Sequence, residues 1–142
     1  MADLLQDKGE SFMNAKDIMS RELITLPPDA DISEAARLLS ESRISGAPVV
    51  DAEGRLLGVV SQTDLTRFQG QGGPAAGASV ASVMTNKPVC CEEDTPTEEV
   101  ARVMLERRIH RLLVTRGGRL VGIVSAMDIL RSLVANLGHE GA

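Results

Sequence analysis

The chain of 142 residues has no tryptophan and no tyrosine, so neither indole nor phenol rings can serve as stacking platforms for a flat ligand. Cysteine is nearly missing too. Cys90 and Cys91 are the only two, and they are adjacent. Neighbouring residues do not bring their Cβ vectors together, so free thiols on a strand are expected rather than a disulfide. With only two histidines, at scattered positions, there is no metal-ligand spacing and no metal site is expected. Neither a nucleophile–base pair nor a phosphate-cradling glycine loop can be found, so no catalytic residue is assigned and an enzyme is not expected. Positive charge is in deficit, with 15 Lys+Arg against 20 Asp+Glu and a net charge of −5. That argues against nucleic acid, which needs a basic footprint, and leaves room for one anion in a locally basic pocket. No stretch approaches the ~18 apolar residues of a membrane span. The start Met1-Ala2-Asp3-Leu4-Leu5-Gln6-Asp7 is acidic, without the apolar run of a secretory signal. The expected location is the cytoplasm.

What the chain has in plenty is self-similarity. Gly58-Val59-Val60-Ser61-Gln62-Thr63-Asp64-Leu65 returns as Gly122-Ile123-Val124-Ser125-Ala126-Met127-Asp128-Ile129, 64 positions on. Upstream, Asp17-Ile18-Met19-Ser20 returns as Ser82-Val83-Met84-Thr85, 65 positions on. A long fixed period marks a repeated structural unit, and two copies suggest a pseudo-twofold pair with a cleft between halves. Each copy alone would be marginal in size, so a shared core is expected.

The order of elements follows from punctuation and period. Residues 1–13 read as a flexible lead-in, 14–69 as the first repeat, 70–78 as a Gly/Pro/Ala linker, 79–137 as the second repeat, and 138–142 as a tail. In the first repeat, 14–20 allow one helical turn, and Ile24-Thr25-Leu26 reads as a strand stopped by Pro27-Pro28. Asp31 and Glu34 suggest a capping box over a helix whose Ile32, Ala35, Ala36, Leu38 and Leu39 share a face. Ala47 to Val50 and Leu56 to Val60 read as a hairpin around Asp51-Ala52-Glu53-Gly54, and Ser61 opens a helix to about Phe68. The second repeat gives a strand at Val89-Cys90-Cys91 and a helix capped by Thr95, Pro96 and Glu98. Val100, Ala101, Val103, Met104 and Leu105 of that helix are expected to face a core. A hairpin with the tighter turn Arg116-Gly117-Gly118 follows, where the lost residue falls. The last helix runs from Ser125 toward Leu137 and is expected to stop at Gly138. The fold class is α+β, two β-α-β-β-α repeats with partly antiparallel sheets.

Three features recur in both copies, and each admits two readings. Ser-x-x-Asp directly after an apolar strand, at Ser61/Asp64 and Ser125/Asp128, is a capping box. Equally, an aspartate at a helix start can accept both hydroxyls of a ribose, since a carboxylate has two acceptor oxygens. Gly58 and Gly122, inside strands, mark close backbone approach, either of a packed neighbour or of a ligand. The segments before the hairpins are Arg43-Ile44-Ser45-Gly46-Ala47-Pro48 and Arg107-Arg108-Ile109-His110-Arg111-Leu112. The second is a cationic cluster, either a solvated turn or a phosphate contact.

Together these residues resemble a tandem pair of cystathionine-β-synthase (CBS) domains, a Bateman module, over about 14–137. The resemblance is carried by the Ile/Val-Met-Ser/Thr starts, Ile24-Thr25, Ala47-Pro48-Val49-Val50-Asp51 and both strand-Ser-x-x-Asp ends. It implies a three-stranded sheet and two helices per repeat, paired around two clefts that take adenosine ligands: AMP, ADP, ATP or S-adenosylmethionine. By the same resemblance, Asp64 and Asp128 hold ribose, with Ser61 and Ser125 beside them. The backbone around Ser45-Gly46-Ala47 and around His110-Arg111-Leu112 reads adenine. His110 and Arg111 meet phosphate, and Thr25 and Cys90 line the two pockets. Cys90 lacks the hydroxyl of Thr25, Leu113 stands in place of Pro48, and Ser45-Gly46 offers no charge, so the site at Asp128 is favoured. No obligatory cofactor is implied. Aliphatic walls and backbone bonds replace ring stacking on adenine.

With no catalytic or membrane domain attached, the expected role is a stand-alone regulatory module. It would signal through an unidentified protein target or through its own assembly as a homodimer. The alternative is a dimerisation or interaction module that binds no nucleotide, its aspartates acting only as caps. Ile129, Leu130, Leu133, Val134 and Leu137 form an apolar stripe that either packs on its own sheet or meets a second copy.

Overall fold

A computed structural model describes residues 13–70, 78–86 and 88–141, without the side chains of 68–70 and 136–141. Apart from Met13, the expected lead-in 1–13 lies outside the described residues. So do positions 71–77 of the expected linker and Ala142 of the expected tail.

The elements alternate as the hydropathy pattern requires. A short helix α1 (Ala15–Ile18) and helix α2 (Ile32–Ser42) precede strands β1 (Gly46–Val50) and β2 (Leu56–Ser61) and helix α3 (Gln62–Gly70). A 3-10 turn (Val80–Ser82) leads into β3 (Thr85–Asn86). The second copy supplies β4 (Cys90–Glu92), α4 (Thr97–Arg107), β5 (Arg111–Arg116), β6 (Arg119–Ser125) and α5 (Ala126–Gly141). The strands form two three-stranded sheets, ordered β1-β2-β3 and β4-β5-β6. β1 and β2 are antiparallel, with Ala47 opposite Val60, while β4 and β5 are parallel, with Cys90 opposite Leu113. The fold is α+β. No helix among the described residues is long and apolar enough to cross a membrane.

Two compact units emerge, and their boundaries do not follow the repeats. Of the described residues, one comprises those within 13–23, 89–117 and 121–141; the other comprises those within 24–88 and 118–120. The opening segment of the first copy is therefore built into the second copy's sheet. Ser20 exchanges two backbone hydrogen bonds with Ile123, at 2.9 and 3.0 Å. The Ala15 N–H donates to the Thr95 carbonyl and Lys16 N–H to that of Glu93, both at 2.9 Å. The opening segment of the second copy repeats this on the first. Val80 N–H donates to Ala30 at 2.9 Å, Ala81 N–H to Pro28 at 3.1 Å, and Thr85 pairs with Val59.

Each unit has its own core. Ile32, Leu39, Val49, Val60, Leu65 and Val80 fill one, and Ala15, Val100, Met104, Leu112, Val114 and Val124 fill the other. Leu105, expected to face this core, is 79% exposed. It lies five positions after Val100, about 140° round the helix from it, and so falls off the buried stripe.

Several expected boundaries are corrected. Ile24-Thr25-Leu26 is not a strand: only Leu26 joins the sheet, through a single parallel bridge to Val49. In the second copy the Glu93 N–H donates to the Thr115 carbonyl at 3.1 Å and extends the pairing. Pro28 holds the corresponding place in the first copy and has no N–H to give. Asp31 occupies the N-cap of α2 but makes no capping bond, and Pro96, not Thr95, is the N-cap residue of α4. Thr95 instead accepts the Glu92 N–H at 3.2 Å. Gly138 does not end α5, which continues to Gly141. The second hairpin turns on Gly117 and Gly118, at φ 58° and 86°, a left-handed pair that glycine adopts at low steric cost.

Candidate functional site

The Ser-x-x-Asp boxes are formed in both copies, and both act as caps. Ser125 N–H donates to Asp128 Oδ2 at 2.8 Å, and Asp128 N–H donates to Ser125 Oγ at 3.1 Å. The corresponding bonds between Ser61 and Asp64 are 3.2 and 3.0 Å. The reason is local: an apolar strand runs straight into a helix whose first N–H groups lack partners, and serine and aspartate satisfy them reciprocally. One carboxylate oxygen in each box is thereby fixed. The other takes a guanidinium from one helical turn on. Asp128 Oδ1 accepts Arg131 Nη1 at 3.0 Å, while Arg67 approaches Asp64 Oδ1 only to 3.7 Å. The two carboxylates remain 19% and 24% exposed, and their arginines are mostly in solvent, so these ion pairs are weak. Each aspartate is thus oriented by its cap, and a carboxylate so held still has acceptor lone pairs left over.

The segments before the hairpins place their residues by strand alternation. Leu112 and Val114 lie in the core beneath the helices, so Arg111 and Leu113 project from the opposite face of the sheet. Cys91 packs against that same core, which turns Cys90, the partner of Leu113, to the face that carries Arg111. In the other unit, Ala47 and Val49 are core residues. Backbone direction alternates as well. The Ser45 carbonyl accepts Gln62 N–H and the His110 carbonyl accepts Ala126 N–H, both at 2.8 Å. The Pro48 carbonyl faces the other way and accepts Leu26 N–H at 3.0 Å. By this alternation Gly46 and Arg111 turn their backbone groups away from the hairpin partner, while those of Ala47 and Leu112 are used within the hairpin. Among the described residues, Gly46 and Arg111 therefore keep unpaired backbone edges, while Ser45, Ala47, His110 and Leu112 turn theirs toward the hairpin partner. Thr25 is exposed and outside any strand.

Gly58 and Gly122 resolve to close packing. A Cβ on Gly58 would meet the Thr85 carbonyl oxygen at 2.6 Å and Met84 Sδ at 2.8 Å. A Cβ on Gly122 would meet Met19 Sδ, and Met19 Cγ at 2.8 Å. These glycines make room for the methionine of the opening segment.

Other features carried no usable sequence signal. Arg43 and Arg108 close α2 and α4 in the left-handed conformation, at φ 57° and 56°. That position favours glycine or asparagine, so arginine there hides the helix end. On the outer side of α4 and α5 lies a hollow of about 540 Å³, lined by Met104, Leu105, Arg108, Ile109, His110 and Leu130 among others. His110 lines this hollow; Arg111, Cys90 and Asp128 do not. The stripe on α5 divides: Ile129 is 8% exposed, whereas Leu130, Leu133 and Val134 are 51–67% exposed. The side chain of Leu137 lies outside the described residues. Burial and the neighbouring Cys90 push the Cys91 thiol up to about 11, although Thr95 opposes the shift. Among the described residues there is no cluster of three or more metal-ligating side chains.

Comparison with known proteins bears on what such a site can do. The family model described as CBS domain matches residues 15–70 and 80–135. The chain is 32% identical to inosine-5′-monophosphate dehydrogenase of Methanocaldococcus jannaschii over 86% of its own length, and it spans 24% of that protein. The crystal structure of CBSX2, of Arabidopsis thaliana, in complex with AMP has 30% identity and a TM-score of 0.75, covering 87% of this chain and 97% of the other. The CBS domain pair of protein MJ0100, in complex with 5′-methylthioadenosine and S-adenosyl-L-methionine, has 30% identity and a TM-score of 0.71, covering 88% and 98%.

Proposed function

The chain belongs to the CBS-domain family as a tandem pair, and on that premise we propose that it is a regulatory module that binds an adenosine ligand. The ligand class is an adenine nucleotide, AMP, ADP or ATP, with S-adenosylmethionine as the further member. The observation that carries the reading is the state of Asp128. Its Oδ2 is locked by the Ser125 N–H at 2.8 Å, and its Oδ1 is held only by an exposed arginine. A vicinal diol can replace that arginine at little cost, because exposed pairs contribute at most about 1 kcal/mol. Arg111 and Cys90 line the opposite face of the sheet from the core, and Arg111 supplies a cation for phosphate. Relatives bound to AMP and to S-adenosyl-L-methionine support the class of ligand. Signalling then runs through a protein target or through a homodimer, and no residue is given a catalytic role.

Calorimetry of the chain against AMP, ADP, ATP and S-adenosylmethionine tests this. We expect saturable binding of at least one. Asp128→Ala should weaken it by about 1–2 kcal/mol, roughly tenfold. The same variant should lose only a cap's worth of stability, about 0.5–2 kcal/mol. No heat from any of the four ligands would refute the reading. It would favour an interaction module, for which the exposed Leu105, Met127, Leu130, Leu133 and Val134 speak.

A further inference from the structure

Met19 and Met84 hold equivalent places, one in each unit, and each is half-buried and packed against its own unit's core. Each thioether lies over a strand glycine. A Cβ built on Gly58 would come within 2.8 Å of Met84 Sδ. One built on Gly122 would come within 2.8 Å of Met19 Cγ, with the sulfur nearer still. The sulfur therefore fills the space of the missing side chain, between bare backbone and an aliphatic core. A thioether suits such a seat because it is unbranched, apolar and polarisable. The same sulfur is open to oxidation by peroxides, which makes the side chain polar.

The elements around these methionines are short. α1 has four residues and β3 has two. Ser20, next to Met19, is tied to Ile123 by two backbone hydrogen bonds, and Thr85, next to Met84, pairs with Val59. Pairings this brief open locally without unfolding the core they rest on, and each opening brings the sulfur to solvent. Two other methionines set the limits of reactivity. Met127 is 56% exposed on the surface of α5, and Met104 is 5% exposed inside the core under α4.

We propose that Met19 and Met84 are a matched pair of oxidation sites, and that a sulfoxide at either one unseats the opening segment from its strand glycine. A sulfur lone pair attacks one oxygen of a hydroperoxide, the O–O bond breaks, an S–O bond forms, and the peroxide leaves as water or an alcohol. Sulfur loses two electrons and the peroxide gains them. The new oxygen adds volume where the thioether already crowds the strand. It is also a hydrogen-bond acceptor set against an apolar core, where burial without a donor is unfavourable. The methionine leaves its seat, and Ser20 or Thr85 leaves its pairing with it. The device is built twice, so each unit responds to its own methionine.

Graded hydrogen peroxide on the full chain tests this, read by peptide-resolved mass spectrometry and amide hydrogen exchange. No nucleotide is needed, so the outcome is separate from that of the adenosine reading. Met127 should oxidise first and leave exchange at the pairings unchanged. Met19 and Met84 should follow, and Met104 should be last. Oxidation of Met19 should speed exchange at Ser20 and Ile123 by about tenfold or more, and oxidation of Met84 should do the same in the peptide carrying Thr85. Met19→Leu should abolish the first response and keep the second, and Met84→Leu the converse, since leucine is close in volume and is not oxidised. Should either leucine variant fail to fold, the graded series on the unsubstituted chain decides alone. Exchange at Ser20, Ile123 and Thr85 that ignores oxidation of Met19 and Met84 would overturn the proposal. So would Met104 oxidising in step with them, which would place the reaction in the unfolded chain.

Discussion

Met19 occupies the space where a Gly122 side chain would be: its sulfur, its Cγ at 2.8 Å and the Ser20 carbonyl oxygen at 3.0 Å would all crowd a Cβ. The first copy's opening methionine is thus seated on the second copy's strand glycine. The same pairing recurs between Met84 and Gly58, where the nearest atom is instead the Thr85 carbonyl oxygen, at 2.6 Å.

That difference separates two substitutions that look alike. Gly122→Ala and Gly58→Ala should each destabilise by about 1–3 kcal/mol through overpacking. Met19→Ala should recover much of the loss at Gly122, because the nearest obstacle there is a side chain. Met84→Ala should recover little at Gly58, where a backbone oxygen remains. Double-mutant cycles by thermal denaturation measure the two couplings. Equal recovery at both glycines would show that the close approach of Thr85 does not decide the effect.

Arg111 projects from the sheet face opposite the core, the face that also carries Cys90. Arg111→Ala should weaken AMP and ATP roughly tenfold, as expected for one charge-assisted hydrogen bond, and leave adenosine nearly unchanged. Calorimetry with the three ligands distinguishes phosphate contact from a general loss. Equal losses for adenosine and AMP would remove the phosphate role.

The two adjacent thiols should react very differently. Burial raises Cys91 to about 11, whereas Cys90 is exposed. At pH 8 a thiol of pKa about 11 is about 0.1% ionised, on the order of a hundredfold less than an ordinary one. Because the folded pKa is raised, the thiol's contribution to stability is complete below its unfolded value and is lost as pH climbs toward 11. Iodoacetamide at pH 8 should therefore modify Cys90 first, and the Cys90→Ser chain should react slowly. A fast second thiol in that variant would contradict the burial of Cys91.

Glu93 accepts Arg116 Nε at 2.7 Å and Nη2 at 3.0 Å, and this pair holds its carboxyl below the usual carboxylate range. A lowered folded pKa contributes stability above the unfolded value, near 4.3, that is lost as pH falls through the folded one. The melting temperature of the unsubstituted chain should therefore fall more steeply below about pH 4.3 than that of Glu93→Gln. Parallel pH profiles would show that the pair does not contribute.

Much of the fold was legible because it rests on short-range patterns. Alternation gave the hairpins, Gly117-Gly118 marked the tighter turn, and the Ser-x-x-Asp boxes announced two helix starts that are capped as expected. The site was legible in part. The sequence singled out Asp64, Asp128 and Arg111, but it could not say which backbone groups of Ser45 to Ala47 or His110 to Leu112 are already used in the ladder. Nor did hydropathy alone put Leu105 in solvent or extend α5 past Gly138.

The amino-acid sequence by itself determined the duplication, the α+β class and the chemistry carried by each recurring position, since these depend on residue type and local period. Only the tertiary structure decided that the opening segments cross over, Met19 to Gly122 and Met84 to Gly58. Periodicity identifies a face that must be covered. What covers it is settled by steric fit between segments distant in sequence, here a methionine and the bare backbone of a glycine.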